Sequence, residues 1–182
     1  DKYKISAVKK FILMIILLSL VLVFSHNLLI KEIKISFLQS TYTLPIFLSV
    51  FWTLLCFLLF INAMNMFDGI NYQVAIYSIY LSLFFISNNY FFVFFCTIVI
   101  ALSFFLILNH KNKSFLGDSG SYLLGFIFSY FFVKFYNSVD LIYTDQIVLF
   151  MIIPGLDLMR LFLYRIYKGN FPFTPDLSLI HI

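Results

Sequence analysis

Six apolar runs constrain this chain more than any other feature: residues 8–25, 44–61, 74–86, 90–108, 119–135 and 146–162. A helix rises about 1.5 Å per residue, so about 17–20 apolar residues match a hydrocarbon core of about 30 Å. The third run is short, and its helix is expected to extend back through Tyr72. Backbone N–H and C=O groups in lipid find no water, so each run must satisfy them internally, as a helix. The expected fold is all-α: a polytopic integral membrane helix bundle with about six transmembrane helices. Composition agrees, with 63% hydrophobic and 11% charged residues, where soluble domains carry about 25% charged. The basic residues behind the net charge of +4 sit mostly in short loops between spans, which argues against nucleic acid as a partner and for the lipid bilayer. Cys56 and Cys96 lie inside apolar runs and read as small buried hydrophobes; without a Cys/His cluster, no zinc or redox site is proposed.

Alternating crossings sort the loops onto two sides. One side collects nine basic residues (Lys2, Lys4, Lys9, Lys10, Lys111, Lys113, Arg160, Arg165 and Lys168), the other only Lys31, Lys34 and Lys134. The excess places the first side in the cytoplasm. Every polar motif with a functional reading falls there, whereas the outer segments 25–43 and 137–144 show none.

Both ends read as truncated. The chain begins at Asp1, a charged start followed at once by a span, so N-terminal helices are expected to be missing. The final Leu177-Ser-Leu-Ile-His-Ile182 is what a common sequencing-adapter string encodes, so residues 177–182 are expected to be a non-native tail. Residues 1–176 then form a partial membrane-embedded domain.

The polar motifs centre on Lys113-Ser-Phe-Leu-Gly-Asp-Ser-Gly-Ser-Tyr122, between the fourth and fifth runs. Asp118 stands there at the edge of hydrocarbon, where a charge is costly. Gly117 and Gly120 leave room for backbone N–H groups to approach a ligand, and the positive end of the following helix points at the same spot. Gly117-Asp-Ser-Gly-Ser121 is not read as a serine-protease motif, because no His–Asp pair is placed to activate Ser119. Asn62-Ala-Met-Asn65-Met-Phe-Asp68-Gly69-Ile-Asn71 closes the second run, and Asn62, Asn65 and Asp68 share one face if the helix continues. The bland alternative is a helix end meeting water at an Asp-Gly turn. Asn109 at a membrane edge is a candidate ligand contact, while His110 reads as a solvated loop residue. Asp157 and Arg160, at i and i+3, are expected to pair with each other, and Arg165 and Lys168 belong to an inner basic loop able to clamp phosphates. Asp1, Asp68 and Asp118 would share the cytoplasmic face. Converging carboxylates raise one another's pKa unless a cation neutralises them. With oxygen ligands only, that cation should be hard: Mg²⁺, or Mn²⁺ in its place, bound with substrate phosphates.

In this order, the 62–71 stretch, Phe115-Leu-Gly-Asp-Ser-Gly-Ser121 and Pro172-Phe-Thr-Pro-Asp176 resemble successive motifs of one family, the polyprenyl-phosphate N-acetylhexosaminyl-1-phosphate transferases (glycosyl transferase family 4), to which the phospho-MurNAc-pentapeptide translocase is related. Asp1-Lys-Tyr-Lys-Ile-Ser-Ala-Val-Lys-Lys10 is similar to the segment after that family's Asp-Asp pair, with Asp1 as the second Asp. The resemblance implies an enzyme of the bacterial cytoplasmic membrane with its site on the cytoplasmic face, and a homodimer is compatible with it. It would transfer an amino-sugar-1-phosphate from a UDP-amino sugar to undecaprenyl phosphate, releasing UMP, as the first step of a cell-surface glycan. By the same resemblance Asp118 would hold Mg²⁺ with Asp68, and Asp1 and Asp118 would be catalytic. Asp68, Asn71 and Asn109 would bind substrate, and Phe115 would stack on uracil; Asn62 and Asn65, from their helix face, and Arg165, from its basic loop, join them as substrate-binding candidates. The chain departs from the family at Tyr72, where a Gly is usual, and lacks the His-x-His-His segment expected after Asp176. A membrane transporter or channel is the alternative, since intramembrane acids and amides also line ion paths; clustering at one face rather than mid-depth argues against it.

Overall fold

The computed structural model describes residues 6–37, 40–69, 72–138 and 142–169. Asp1, Asn71, Pro172–Asp176 and the 177–182 tail, all singled out in the sequence, lie outside the described residues. Six α-helices follow the six apolar runs: α1 Ala7–Phe24, α2 Ile46–Phe67, α3 Gln73–Ser87, α4 Phe92–His110, α5 Gly117–Ser138 and α6 Thr144–Tyr167. Most bounds fall within a few residues of the expected ones, and α2 runs six residues further, to Phe67. The expected extension of α3 through Tyr72 does not occur. Tyr72 sits at φ +73°, a left-handed backbone that cannot continue a right-handed helix, so α3 starts at Gln73. Helices α2, α4 and α6 are long and apolar enough to cross a membrane; α3, with 15 residues, is shorter than that length. The chain is an integral membrane protein of helical architecture.

One correction concerns the segment between α1 and α2, read from sequence as a loop without a motif. It folds into a 3-10 turn, His26–Leu28, and an antiparallel hairpin of β1 Glu32–Ile35 and β2 Ser40–Thr43, with Glu32 opposite Thr43 and Ile35 opposite Ser40. Alternating Glu32-Ile33-Lys34-Ile35 is a strand signal, but four residues are few beside six long apolar runs. The hairpin is tied to the bundle through polar groups. Tyr136 Oη donates to Glu32 O and accepts from Lys34 N, and Ser36 N–H donates to Asp145; ahead of the hairpin, Asn137 Nδ2 donates to Asn27 O and Leu29 O beside the 3-10 turn. These contacts gather the C-terminal ends of α1 and α5 and the N-terminal end of α6 at one end of the bundle.

Helix α2 lies at the centre, packed on α5 and α6. Its contact with α5 is close because Gly125 has no side chain: a Cβ there would lie 3.0 Å from Ile61 Cα and 3.4 Å from Met64 Cβ. Small residues that let backbones approach are how helices associate in lipid, where apolar burial offers little drive. Beside this seam the chain's phenylalanines form a ring-on-ring core. Phe85 of α3 is fully buried, stacks on Phe95 of α4 at 4.6 Å, and meets Phe128, Phe132 and Phe135 of α5. Outward faces are apolar as well: Leu13 and Leu17 of α1, Val93 and Phe104 of α4 and Leu149 of α6 are all more than half exposed. A helix apolar on every side suits lipid rather than water.

Gly125→Val is expected to force α5 off α2. Overpacking of this kind costs about 1–3 kcal/mol, read as a lower midpoint of thermal unfolding in detergent; an unchanged midpoint would mean the seam is not tight.

Candidate active site

The opposite end of the bundle gathers the N-terminal ends of α1, α3 and α5 and the C-terminal ends of α2 and α4. Helix α2 stops at Phe67, and Asp68 follows as its C-cap, with its N–H 3.4 Å from Asn65 O. Helix α4 stops at His110. Asn109, in its last turn, is 2% exposed and folds its Nδ2 back to donate to Ser114 O at 2.6 Å, which holds the connection to α5 in place. Helix α5 opens at Gly117, whose φ of +65° strains any residue with a Cβ. Asp118 follows in the first turn. One further bond locks this turn to α2: Ser121 Oγ donates to Asn65 Oδ1 at 2.8 Å.

These ends enclose a cavity of about 250 Å³ lined by Asp68, Tyr72, Phe105, Asn109, Phe115 and Asp118, among others. Two features of it are chemically unsettled. Among the described residues the Asn109 Oδ1 atom is buried without a hydrogen-bond partner, a state that costs free energy unless a ligand donates to it. The two carboxylates also feel each other. Burial, and secondarily the negative charge of Asp118, push the Asp68 carboxyl up to about 6. Asp118 is in ion-pair contact with the ammonium of Lys10, from the first turn of α1. At the rim, Tyr72 Oη lies 3.4 Å from His110 Nδ1.

Among the residues singled out in sequence, the fold brings Asp68, Asn109, Phe115 and Asp118 to this cavity, and Asn65 adjoins it through Ser121. Asn62 does not line it; its Nδ2 donates to Leu58 O within α2. Arg165 is buried near the end of α6 and does not line it either. Asp157 and Arg160 pair with each other at 2.7 Å, as their spacing leads one to expect. Lys10 ends a segment that carries a family likeness but is not singled out there as a site residue. Its signal lies elsewhere: a lysine inside the first turn of an apolar helix must find an anion or reach water. Tyr72 stands out in sequence only as a departure from a motif, and Ser121 only as a small neighbour.

A family model described as Glycosyl transferase family 4 matches residues 1–136, which takes in α1 to α4 and most of α5. No curated protein and no solved structure gives a significant match.

The coupling of the two acids can be measured. Asp118→Asn removes the smaller cause of the Asp68 shift, so the Asp68 midpoint should fall from about 6 while burial keeps it above the ordinary value. NMR titration of the Asp68 carboxyl checks this, and an unmoved midpoint would mean the pair shares no field. The sign for stability follows from tighter proton binding in the folded chain. The contribution is full below about pH 4, the unfolded value, and is lost as pH rises through about 6.

Proposed function

Since this chain belongs to glycosyl transferase family 4, a family of polyprenyl-phosphate sugar-phosphate transferases, we propose that the cavity between Asp68 and Asp118 is where a UDP-amino sugar meets undecaprenyl phosphate at the cytoplasmic face of a bacterial membrane. The observation that carries this reading is the meeting of three distant segments. The end of α2, the end of α4 and the start of α5 bring Asp68, Asn109, Phe115 and Asp118 to one cavity.

The donors there fit a hard divalent cation. Asp68 and Asp118, two carboxylates at one cavity, offer oxygen ligands only. Among the described residues no cluster of three or more acidic, His or Cys side chains forms a protein-only cage. Mg²⁺ is commonly held that way, by one or two carboxylates with substrate phosphates and water completing the shell. Asp118 and Asp68 would hold it, and when bound it would offset the charge of the diphosphate.

The chain's own residues would do the rest. Lys10 would exchange the Asp118 carboxylate for a phosphate oxygen as the diphosphate arrives, so the site need not hold an unpaired ammonium. The Ser121–Asn65 bond would keep Asp118 and Asp68 at a fixed separation. Phe115, 70% exposed, would stack on uracil. In the transfer, an oxygen of the lipid phosphate bonds to the β-phosphorus. The bond from that phosphorus to the bridging oxygen breaks, and UMP departs with the electron pair. A phosphate monoester has a second pKa of about 6, so the nucleophile is largely ionised at neutral pH without a base. Positioning and charge neutralisation then carry most of the acceleration. Asp1 would assist chiefly when the lipid phosphate is protonated.

The product of the full-length gene, purified in detergent and given Mg²⁺, undecaprenyl phosphate and a panel of UDP-amino sugars, should release UMP. Asp118→Asn should abolish that release, and Asp1→Asn should leave measurable activity that recovers at higher pH. Full activity in Asp118→Asn would remove the role given to that carboxylate. Ion flux through proteoliposomes without any UMP release would favour a transporter instead.

A further inference from the structure

Tyr72 serves its helix only through its carbonyl, which accepts from Ile76 N–H at 2.8 Å, yet its backbone is strained. It precedes α3 at φ +73°, ψ −21°, a region that bulky side chains seldom adopt, and its side chain makes no capping hydrogen bond. Strain of this kind persists where the surroundings enforce it, and it concentrates at ligand sites. The surroundings here are specific. Tyr72 lines the cavity, its ring lies 6.3 Å from the His110 ring, and its hydroxyl lies 3.4 Å from His110 Nδ1. His110 closes α4 one residue after Asn109, so the contact sets the Tyr72 ring beside the turn that carries the unpartnered Asn109 Oδ1. The cavity has a second aromatic ring, Phe115, left largely exposed. Two aromatic side chains and a buried lone acceptor, 2% exposed at Asn109, describe a place for a flat ring that carries an N–H donor. A pyrimidine base with an imide N–H has that chemistry, and base–aromatic stacking is favourable for any such ring.

We propose that Tyr72, braced by His110, is a second base-binding ring beside Phe115, and that it contributes to the affinity of this chain for a uridine nucleotide. This rests on the nucleotide-sugar reading of the cavity given above. A glycine at this position would relax the backbone and leave the base covered on one side only. The tyrosine accepts the strained backbone and supplies the second surface.

The two roles open to Tyr72, filler or base contact, separate in one experiment. UMP binding is measured by calorimetry on detergent-purified protein, alongside the thermal midpoint without nucleotide, for the parent chain, Tyr72→Gly, Tyr72→Phe and His110→Ala. Glycine tolerates φ +73°, so Tyr72→Gly should hold or raise the midpoint. It should also weaken UMP at least about fivefold, the low end of what a stacked base loses. In turnover, KM for the UDP-sugar should rise with kcat held. Tyr72→Phe keeps the ring and should bind UMP more tightly than Tyr72→Gly, while His110→Ala should weaken binding by loosening the ring. Equal UMP affinity in the parent and Tyr72→Gly overturns the proposal and leaves the nucleotide reading standing. A Tyr72→Gly chain that loses its midpoint, with His110→Ala binding like the parent, also overturns it by marking the ring as packing. Failure of the parent chain itself to bind UMP would take away both readings.

Discussion

Where α5 crosses α2, nothing separates the two backbones but the hydrogen of Gly125, and a Cβ there would crowd Ile61 Cα at 3.0 Å. The site depends on this crossing. Asp68 ends α2 and Asp118 begins α5, so their separation is set by how closely and in what register these helices pack. Lipid offers no hydrophobic force to press helices together, which leaves close van der Waals packing and interhelical hydrogen bonds. Gly125 provides the first and the Ser121–Asn65 bond the second, one turn from the acids. The stacked phenylalanines of α3, α4 and α5 then fill the space that this crossing leaves.

At the acids themselves the balance is electrostatic. Two carboxylates at one partly buried cavity are costly as anions, and the chain eases this in two ways: Asp68, through burial first and the charge of Asp118 second, holds its proton more tightly, and Asp118 takes the ammonium of Lys10. Neither arrangement is final. A proton and a lysine are both exchangeable, and a site whose negative charge is covered by exchangeable partners is ready to accept a cation or a polyanion that brings one. Asn109 adds a third unfinished valence, an amide oxygen buried without a donor. Buried polar atoms are nearly always satisfied, so an unpartnered one beside two acids separates this cavity from ordinary packing.

Much of the fold is legible in the amino-acid sequence. Apolar length places all six helices, because lipid leaves the backbone no alternative, and the bias of lysines and arginines groups the ends that carry the polar motifs. The hairpin is not legible, since four-residue strands held by Tyr136 and Asp145 depend on residues about a hundred positions away. For the site, the polar types at helix ends point to Asp68, Asn109, Phe115 and Asp118. They do not separate these from Asn62, whose amide turns back on its own helix, or from Arg165, which is buried elsewhere.

Residue order alone settles where the helices run, which ends are polar, and that acidic and amide groups gather at one of them. Those properties are local: hydrocarbon thickness, backbone hydrogen bonding and charge next to lipid act on each segment alone. Which polar groups touch is a matter of the folded bundle. It puts Lys10 on Asp118 across 108 positions of chain, Ser121 on Asn65, and Tyr72 against His110. Such pairings follow from the rotation and depth of one helix against another, and for Ser121 and Asn65 the contact that sets them, a bare glycine of α5 on the backbone of α2, has no charge or periodicity by which a sequence could announce it.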